Sequence, residues 1–160
     1  MPGLQPHPLL RAAGAGDRPR ALSDPLHIHI DGASRGNPGE AGFGVYVTTP
    51  EGTAVAELYG YLGRASNNVA EYQALIHALR YALDRGAERV KLFSDSELVV
   101  RQMSGQYRVK HPDMVPLHRQ AAALVSRFRE ATLEHVRREK NRDADRLANK
   151  ALDTRESKLH

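Results

Sequence analysis

The chain has 160 residues, of which 41% are hydrophobic and 26% charged, a composition typical of one globular domain that can bury a core. It contains no cysteine, which excludes disulfides, thiolate zinc sites and cysteine nucleophiles. No apolar run approaches the roughly 18–20 residues of a membrane span, so we expect a cytoplasmic protein with no membrane contact. The net charge of +4 permits a polyanionic partner without identifying one.

The first 25 residues differ in composition from the rest. They hold five of the nine prolines and show neither strand nor helix periodicity. We therefore predict a flexible Pro/Gly-rich N-terminal tail over residues 1–25, a folded domain over 26–153 and a short C-terminal tail over 154–160.

The first part of the folded domain is predicted to be a meander of three strands. Ile28 and Ile30 alternate with histidines as far as Asp31-Gly32, which predicts a strand ending in a turn. Residues 33–41 are rich in Gly and Pro and are predicted to form a loop. A hairpin of two strands is expected over 43–48 and 55–59, joined by a turn at 49–52.

The second part alternates helices with strands. A helix is expected from Asn68 to just before Gly86, followed by a strand at 90–94. Helices at 96–103 and 117–130, a strand at 132–137 and a helix from about 144 to 152 complete the pattern. The order β-β-β-α-β-α-α-β-α predicts an α/β fold, a five-stranded mixed sheet flanked by helices.

Four carboxylates occupy the places where such sheets bind ligands. Asp31 and Asp95 end the first and fourth predicted strands, while Glu71 and Asp145 lie in the first turns of two helices. If they converge, their mutual repulsion requires a cation, and a hard ion such as Mg²⁺ prefers oxygen ligands. Two such ions roughly 3.5–4 Å apart drive in-line phosphodiester hydrolysis.

Each carboxylate also has a purely structural interpretation. Glu71 would complete a capping box if Asn68 is the N-cap, and Asp95 would be the N-cap of the helix that begins at Ser96. Asp145 would favour the helix dipole, and Asp31-Gly32 would be an ordinary turn.

The local sequence around the carboxylates is specific. In order along the chain, the motifs are Asp31-Gly32-Ala33-Ser34-Arg35-Gly36-Asn37-Pro38-Gly39, Ser66-Asn67-Asn68-Val69-Ala70-Glu71-Tyr72, Ser94-Asp95-Ser96, and Asn141-Arg142-Asp143-Ala144-Asp145-Arg146-Leu147-Ala148-Asn149. Over roughly residues 27–152 these resemble the type 1 ribonuclease H family, including the related domains of reverse transcriptases. The resemblance implies a ribonuclease H-like fold.

The resemblance also implies roles for individual residues. Asp31, Glu71, Asp95 and Asp145 look like the family's metal-binding carboxylates, with Asp143 as a competitor for the last role. Side chains that resemble the family's substrate contacts are Asn37, Asn67 and Asn68 at the minor groove of a hybrid and Ser66 at a DNA phosphate. We further expect substrate contacts from Gly32 and Ser34 in the glycine-rich first motif and from Arg138 in a basic patch.

The implied activity is hydrolysis of the RNA strand of an RNA/DNA hybrid with two Mg²⁺ or Mn²⁺ ions, leaving 5′-phosphate and 3′-hydroxyl ends. We expect a monomer, with double-stranded RNA as a further substrate candidate. A non-catalytic hybrid-binding module and a nuclease of the same fold acting on DNA junctions stay open as alternatives.

The sequence departs from the family pattern at two places. The loop over 137–141 has no histidine like the one that many members carry there, and His135 belongs to the preceding strand by pattern, where we expect a structural role. A lysine-rich protruding helix is also not evident between Ser104 and Leu117, where only Arg108 and Lys110 are basic.

Overall fold

The computed structural model of the chain describes residues 7–10 and 24–160. Its six strands are β1 (His7–Leu10), β2 (Leu26–Arg35), β3 (Gly39–Thr48), β4 (Ala54–Ala65), β5 (Arg89–Ser94) and β6 (Glu130–His135). They form one mixed sheet in the order β1-β6-β5-β2-β3-β4. The helices are α1 (Asn67–Asp84), α2 (Glu97–Met103), α3 (Val115–Val125) and α4 (Arg142–Thr154), with a 3₁₀ turn at Arg138–Lys140.

The predicted five-stranded mixed sheet and the order of its elements are confirmed, and the structure adds β1. This strand pairs antiparallel with the outer edge of β6. The prediction of an unstructured tail is therefore wrong for residues 7–10, because an edge offers unpaired backbone groups and Pro8 is tolerated in an edge strand. The other residues of that predicted tail lie outside the described part, apart from Asp24 and Pro25.

The predicted turn at Asp31-Gly32 and the predicted loop at 33–41 are both wrong. β2 runs on to Arg35 and pairs with β3 down to Arg35 opposite Glu40, so only residues 36–38 turn. Gly36 has a φ of +92°, the left-handed conformation that glycine adopts without steric cost. The small residues therefore build a tight hairpin rather than a long loop.

Helix boundaries differ from prediction where proline or a cap decides them. α3 begins at Val115 with Pro116 in its first turn, where the missing N–H costs nothing, and ends at Val125 rather than residue 130. The last strand accordingly begins at Glu130, two residues earlier than expected. α1 begins one residue early because Ser66 is its N-cap, with Oγ accepting the Val69 N–H at 3.1 Å.

Helices pack on both faces of the sheet. Register pairs Gly32 with Phe43 and Asp31 with Gly44, so Gly32 and Gly44 lie on opposite faces. A Cβ at Gly32 would overlap the backbone of Ala70 and Glu71 in α1, and one at Gly44 would overlap the backbone of α4 at Ala144. Each helix therefore lies directly on the strands, and Asp31 points to the α4 face. The core fills the space under α1 and α3; its largest fully buried members include Ile28, Ile30, Phe43, Tyr72, Leu75, Leu79 and Phe128.

The C-terminal segment predicted as a tail lies along the other edge of the sheet. Lys158 forms an isolated antiparallel bridge with Tyr59 of β4, exchanging hydrogen bonds of 2.8 and 3.0 Å. Ser157 Oγ accepts a third bond, from the Tyr61 N–H at 2.9 Å. Among the described helices, none has the length and apolar character that crossing a membrane demands.

Candidate active site

The two strand-borne aspartates meet because their strands are neighbours. β2 and β5 pair in parallel from Leu26 opposite Val90 to Ile30 opposite Ser94, and Asp31 and Asp95 are the next residue on each strand. Carboxylate oxygens of Asp31, Asp95 and Glu71 all lie within 4.8 Å of one another. Three of the four predicted carboxylates therefore form one cluster at the end of the parallel ladder.

Glu71 reaches this cluster from α1. Its Oε1 accepts the Gly32 N–H at 2.9 Å, which ties the helix to the strand residue that follows Asp31. Because Ser66 is the N-cap, Glu71 lies beyond the first turn and the capping-box interpretation is wrong. The N-cap interpretation of Asp95 is wrong as well, since Ser96 Oγ caps α2 by accepting the Val99 N–H at 3.3 Å.

The fourth carboxylate comes from the first turn of α4. Asp145 is half-buried and lies within hydrogen-bonding reach of Asp31. The competing Asp143 instead contacts Arg146, 3.3 Å from its carboxylate, on the exposed side of the helix. The geometry thus favours Asp145 as the fourth member of the cluster.

Burial and proximity raise the proton affinity of this cluster. The pKa of Asp31, which is 5% exposed, is raised by burial first and by the charges of Glu71 and Asp95 next. Burial also raises the pKa of Glu71, although the Gly32 N–H opposes it. Burial raises the pKa of Asp95 too, against opposing effects of Asn141 and Arg138. Without a cation the cluster cannot hold all its negative charges at neutral pH.

The donor set fits a hard divalent cation. Glu71 is 3% exposed, and its Oε2 is buried without a hydrogen-bond partner in the part of the chain that is described. A buried carboxylate oxygen with no donor is expensive unless a cation faces it. Every candidate ligand is an oxygen, which suits Mg²⁺ or Mn²⁺.

The cluster lines a cleft of about 580 Å³ that opens to solvent. Four of the seven predicted substrate residues line the same cleft, namely Gly32, Ser34, Asn67 and Arg138. Ser66 lines a neighbouring groove of about 770 Å³ together with Arg64 and His111. Asn68 is half-buried in the first turn of α1.

Several predicted substrate residues also hold the hairpin against α1. Asn37 Oδ1 accepts the Asn67 N–H at 3.1 Å, which joins the turn of the hairpin to the start of the helix. Ser34 Oγ donates to the Gly36 carbonyl and lies 3.1 Å from the Ala65 carbonyl. These bonds present the polar side chains of two separate motifs at one rim of the cleft.

Three residues at or near the site could not be assigned their place from sequence patterns. Gly44 escaped notice because nothing local to β3 reveals that α4 lies upon it. His135 belongs to β6 as predicted, but it is the last residue of that strand and lines the cleft. Asn141 was assigned no role of its own, yet it is 1% exposed in the structure and bonds the residue before Asp31. Its position four residues before Asp145 is visible in the sequence, whereas its burial and its contact with Ile30 appear only in the structure.

Comparisons with known proteins agree with this architecture. A family model described as "Reverse transcriptase-like" matches residues 29–151. The N-terminal RNase H domain of a Mycobacterium tuberculosis protein, solved as a fusion with maltose-binding protein, is similar at 50% identity and a TM-score of 0.80, over 82% of this chain and 96% of that one. Ribonuclease HI of Halobacterium salinarum is 44% identical over 80% of this chain and 64% of its own.

A third similar structure carries nucleic acid. LC11-RNase H1, solved in complex with an RNA/DNA hybrid, is 41% identical with a TM-score of 0.78, over 81% of this chain and 98% of that one. The mycobacterial curated relatives are longer than these domains, and the matched region spans only 35% of their length.

Fold and carboxylate cluster together define a domain of the ribonuclease H-like fold. Within that class, the chain belongs to the reverse transcriptase-like family of ribonuclease H domains. The family resemblance indicated by the four motifs is thereby confirmed.

Proposed function

We propose that this chain is a divalent-metal-dependent endoribonuclease that hydrolyses the RNA strand of RNA/DNA hybrids and leaves 5′-phosphate and 3′-hydroxyl ends. The observation that carries the proposal is the meeting of Asp31, Glu71 and Asp95 within 4.8 Å, at the floor of an open cleft. Clustered negative charge opposes binding to a phosphate backbone unless cations lie between them, so a pure binding role does not explain it.

The four carboxylates would hold Mg²⁺ or Mn²⁺, two ions when substrate is present. The cations would lower the pKa of a water ligand and stabilise negative charge on phosphate and leaving oxygens. Asp31 interacts with both Glu71 and Asp145, so it would help to hold the cations from the centre of the parallel strands. Burial of Asp31 and Glu71 keeps their oxygens fixed before substrate arrives.

The rim of the cleft would bind the hybrid. Hybrid duplexes are recognised by groove shape and ribose 2′-hydroxyls, for which the side-chain amide of Asn67 and the hydroxyl of Ser34 are suitable partners. The exposed Arg138 offers a positive charge to phosphates beside the cluster. The complex of LC11-RNase H1 with a hybrid supports this choice of substrate. Cytoplasmic location and a monomeric state stay predictions.

The test is a cleavage assay on end-labelled RNA/DNA hybrid, double-stranded RNA, double-stranded DNA and single-stranded RNA, with Mg²⁺, with Mn²⁺ and with chelator. We expect cleavage of the RNA strand of the hybrid with either cation and none with chelator. Asp31→Asn and Asp95→Asn should reduce cleavage to background while the fold is kept, because each removes one negative ligand and relieves repulsion.

The matched control is Asp84→Asn, an exposed aspartate at the far end of α1. It should cleave at the wild-type rate. Binding of hybrid without cleavage under any cation would show a non-catalytic module instead, and cleavage confined to DNA or to double-stranded RNA would reassign the substrate.

A further inference from the structure

Asn141 has an unusual position for its residue type. It is the N-cap of α4, where an asparagine normally accepts a hydrogen bond from its own helix, but its side chain makes no such bond. It is instead 1% exposed and turned towards the sheet. Burying an amide while leaving the helix uncapped is costly, so the side chain must satisfy another requirement.

That requirement lies at the residue before Asp31. Asn141 Nδ2 donates to the Ile30 carbonyl oxygen at 2.9 Å, across 111 residues of sequence. The parallel ladder between β2 and β5 ends with Ile30 opposite Ser94. Asn141 thus adds a side-chain donor to the carbonyl of the last paired residue before Asp31.

The corresponding carbonyl on β5 is held by main chain. The Val136 N–H donates to the Ser94 oxygen at 2.9 Å, which fixes the peptide that leads into Asp95. The peptides before both strand-borne aspartates are therefore held, one by backbone and one by the Asn141 amide.

The same amide lies close to the second aspartate. It favours the ionised form of the Asp95 carboxyl and so opposes the rise of the Asp95 pKa on burial. A carbonyl and a carboxylate both accept, so the NH₂ group must face them, which settles the orientation of the amide. Asn141 Oδ1 is left buried with no partner among the described residues.

The main chain of Asn141 extends the connection to the fourth carboxylate. Its carbonyl accepts the Asp145 N–H at 3.1 Å, the first hydrogen bond of α4. Residues four apart lie on one face of a helix, so Asp145 stands directly above Asn141. Asn141 therefore interacts with groups that position three carboxylates, Asp31, Asp95 and Asp145, each from a different part of the fold.

We propose that Asn141 is a positioning residue that sets the separation between Asp31, Asp95 and Asp145, and that it thereby determines the affinity of the cleft for divalent cations. This inference rests on the proposed function in so far as the carboxylates bind metal. Residues that orient metal ligands without touching the metal typically change its affinity about 10–100-fold when they are replaced.

The experiment is a Mg²⁺ titration of the ¹⁵N-labelled chain, followed by amide chemical shifts, for wild type, Asn141→Ala and Asn141→Ser. We expect both variants to bind Mg²⁺ about 10–100-fold more weakly than wild type. Affinity within twofold of wild type in either folded variant would overturn the inference. Failure of the wild type itself to bind Mg²⁺ would instead overturn the proposed function.

The matched control is Gln102→Ala. Gln102 is also a buried amide, 5% exposed, and its Oε1 accepts the Tyr72 hydroxyl at 2.6 Å in the core. This variant should lose stability to a similar degree but keep wild-type Mg²⁺ affinity. An equal loss of affinity in Gln102→Ala would show that general destabilisation is the cause and would refute positioning by Asn141.

A measurement on the wild type covers the case in which neither Asn141 variant folds. The side-chain NH₂ signal of Asn141 should exchange with solvent far more slowly than that of the exposed Asn67, and it should shift on addition of Mg²⁺. Rapid exchange, or a signal that Mg²⁺ leaves unmoved, would contradict the inference.

Discussion

The floor of the cleft and its rim are held by different forces. On the floor, Asp31 and Glu71 are 5% and 3% exposed, and α1, which carries Glu71, lies directly on β2 at Gly32, the residue after Asp31. On the rim, residues 137–140 are all exposed, and the Arg137 guanidinium lies 3.9 Å from the Glu139 carboxylate. Cations need ligands that are fixed in advance, whereas a long polyanion is attracted by mobile surface charges. Substitutions on the floor should therefore change stability and metal binding, whereas substitutions on the rim should change the salt-dependent affinity for the hybrid.

The largest effect should come from crowding the floor. A Cβ at Gly32 would overlap backbone atoms of α1, so Gly32→Ala must push the helix and Glu71 off the strand. We expect a loss of about 3 kcal/mol, the upper part of the overpacking range, in thermal unfolding. Cleavage should fall as well, since Gly32 donates to Glu71.

Gly105→Ala is the control for the backbone cost of replacing a glycine where no helix lies against it. Gly105 has a φ of +82° but open space around it within the described structure, so it should lose only about 1–2 kcal/mol from the left-handed backbone. Equal losses of unfolding free energy in Gly32→Ala and Gly105→Ala would mean that Gly32 is not required for the close contact between β2 and α1.

A smaller effect should appear in the pH dependence of stability without metal. Asp31 and Glu71 have raised pKa values in the folded chain, so they bind protons more tightly there than when unfolded. The two carboxyls contribute fully to the free energy of unfolding below their pKa of about 4 in the unfolded chain. This contribution is lost as the pH rises through their pKa values in the folded chain. The melting temperature in chelator should therefore fall between pH 5 and pH 8 relative to that of Asp31→Asn, which shares the opposing effect of His27, His29 and His77, whose pKa values are lowered by burial.

Addition of Mg²⁺ should oppose this fall, because the cation replaces protons as the source of positive charge. The stabilisation by Mg²⁺ should be greater at pH 8 than at pH 5. Equal pH dependence of the melting temperature in wild type and Asp31→Asn would contradict the electrostatic account of the floor.

The smallest effect should belong to the rim. Arg138→Ala should weaken hybrid binding by about 0.2–1 kcal/mol, the range of exposed ion pairs. The slope of log affinity against log salt should fall in magnitude by about one unit. Both are measured by fluorescence anisotropy in the cleavage-deficient Asp31→Asn background. Arg85→Ala, at the opposite end of α1 from Glu71, should leave the slope unchanged, and an unchanged slope in Arg138→Ala would remove Arg138 from the interface.

Local patterns were sufficient where an element is decided by its own residues. The alternation of Ile28 and Ile30 and the helical spacing after Asn68 predicted β2 and α1. Convergence of the carboxylates was predicted on the condition that the strands of Asp31 and Asp95 are neighbours, and the parallel pairing of β2 with β5 meets that condition.

Features that depend on distant partners escaped prediction. The glycine-rich segment after Asp31 has the composition of a loop, yet pairing with β3 makes it a strand. Asn141 gave no local sign of its contact with Ile30, which lies 111 residues away in the chain. The direct contact of α4 with Gly44 likewise arises from packing between elements.

The bridge between Tyr59 and Lys158 bears on how the chain behaves when it is concentrated. β4 is an edge strand, and the unpaired backbone N–H and C=O groups of an edge strand can pair with a strand of another molecule. The last residues already occupy the backbone of Tyr59 and the Tyr61 N–H. Shortening the chain to Arg155 would remove these bonds and should favour pairing of β4 between molecules. Residues 156–160, which lie outside the carboxylate cluster, therefore contribute to solubility during purification.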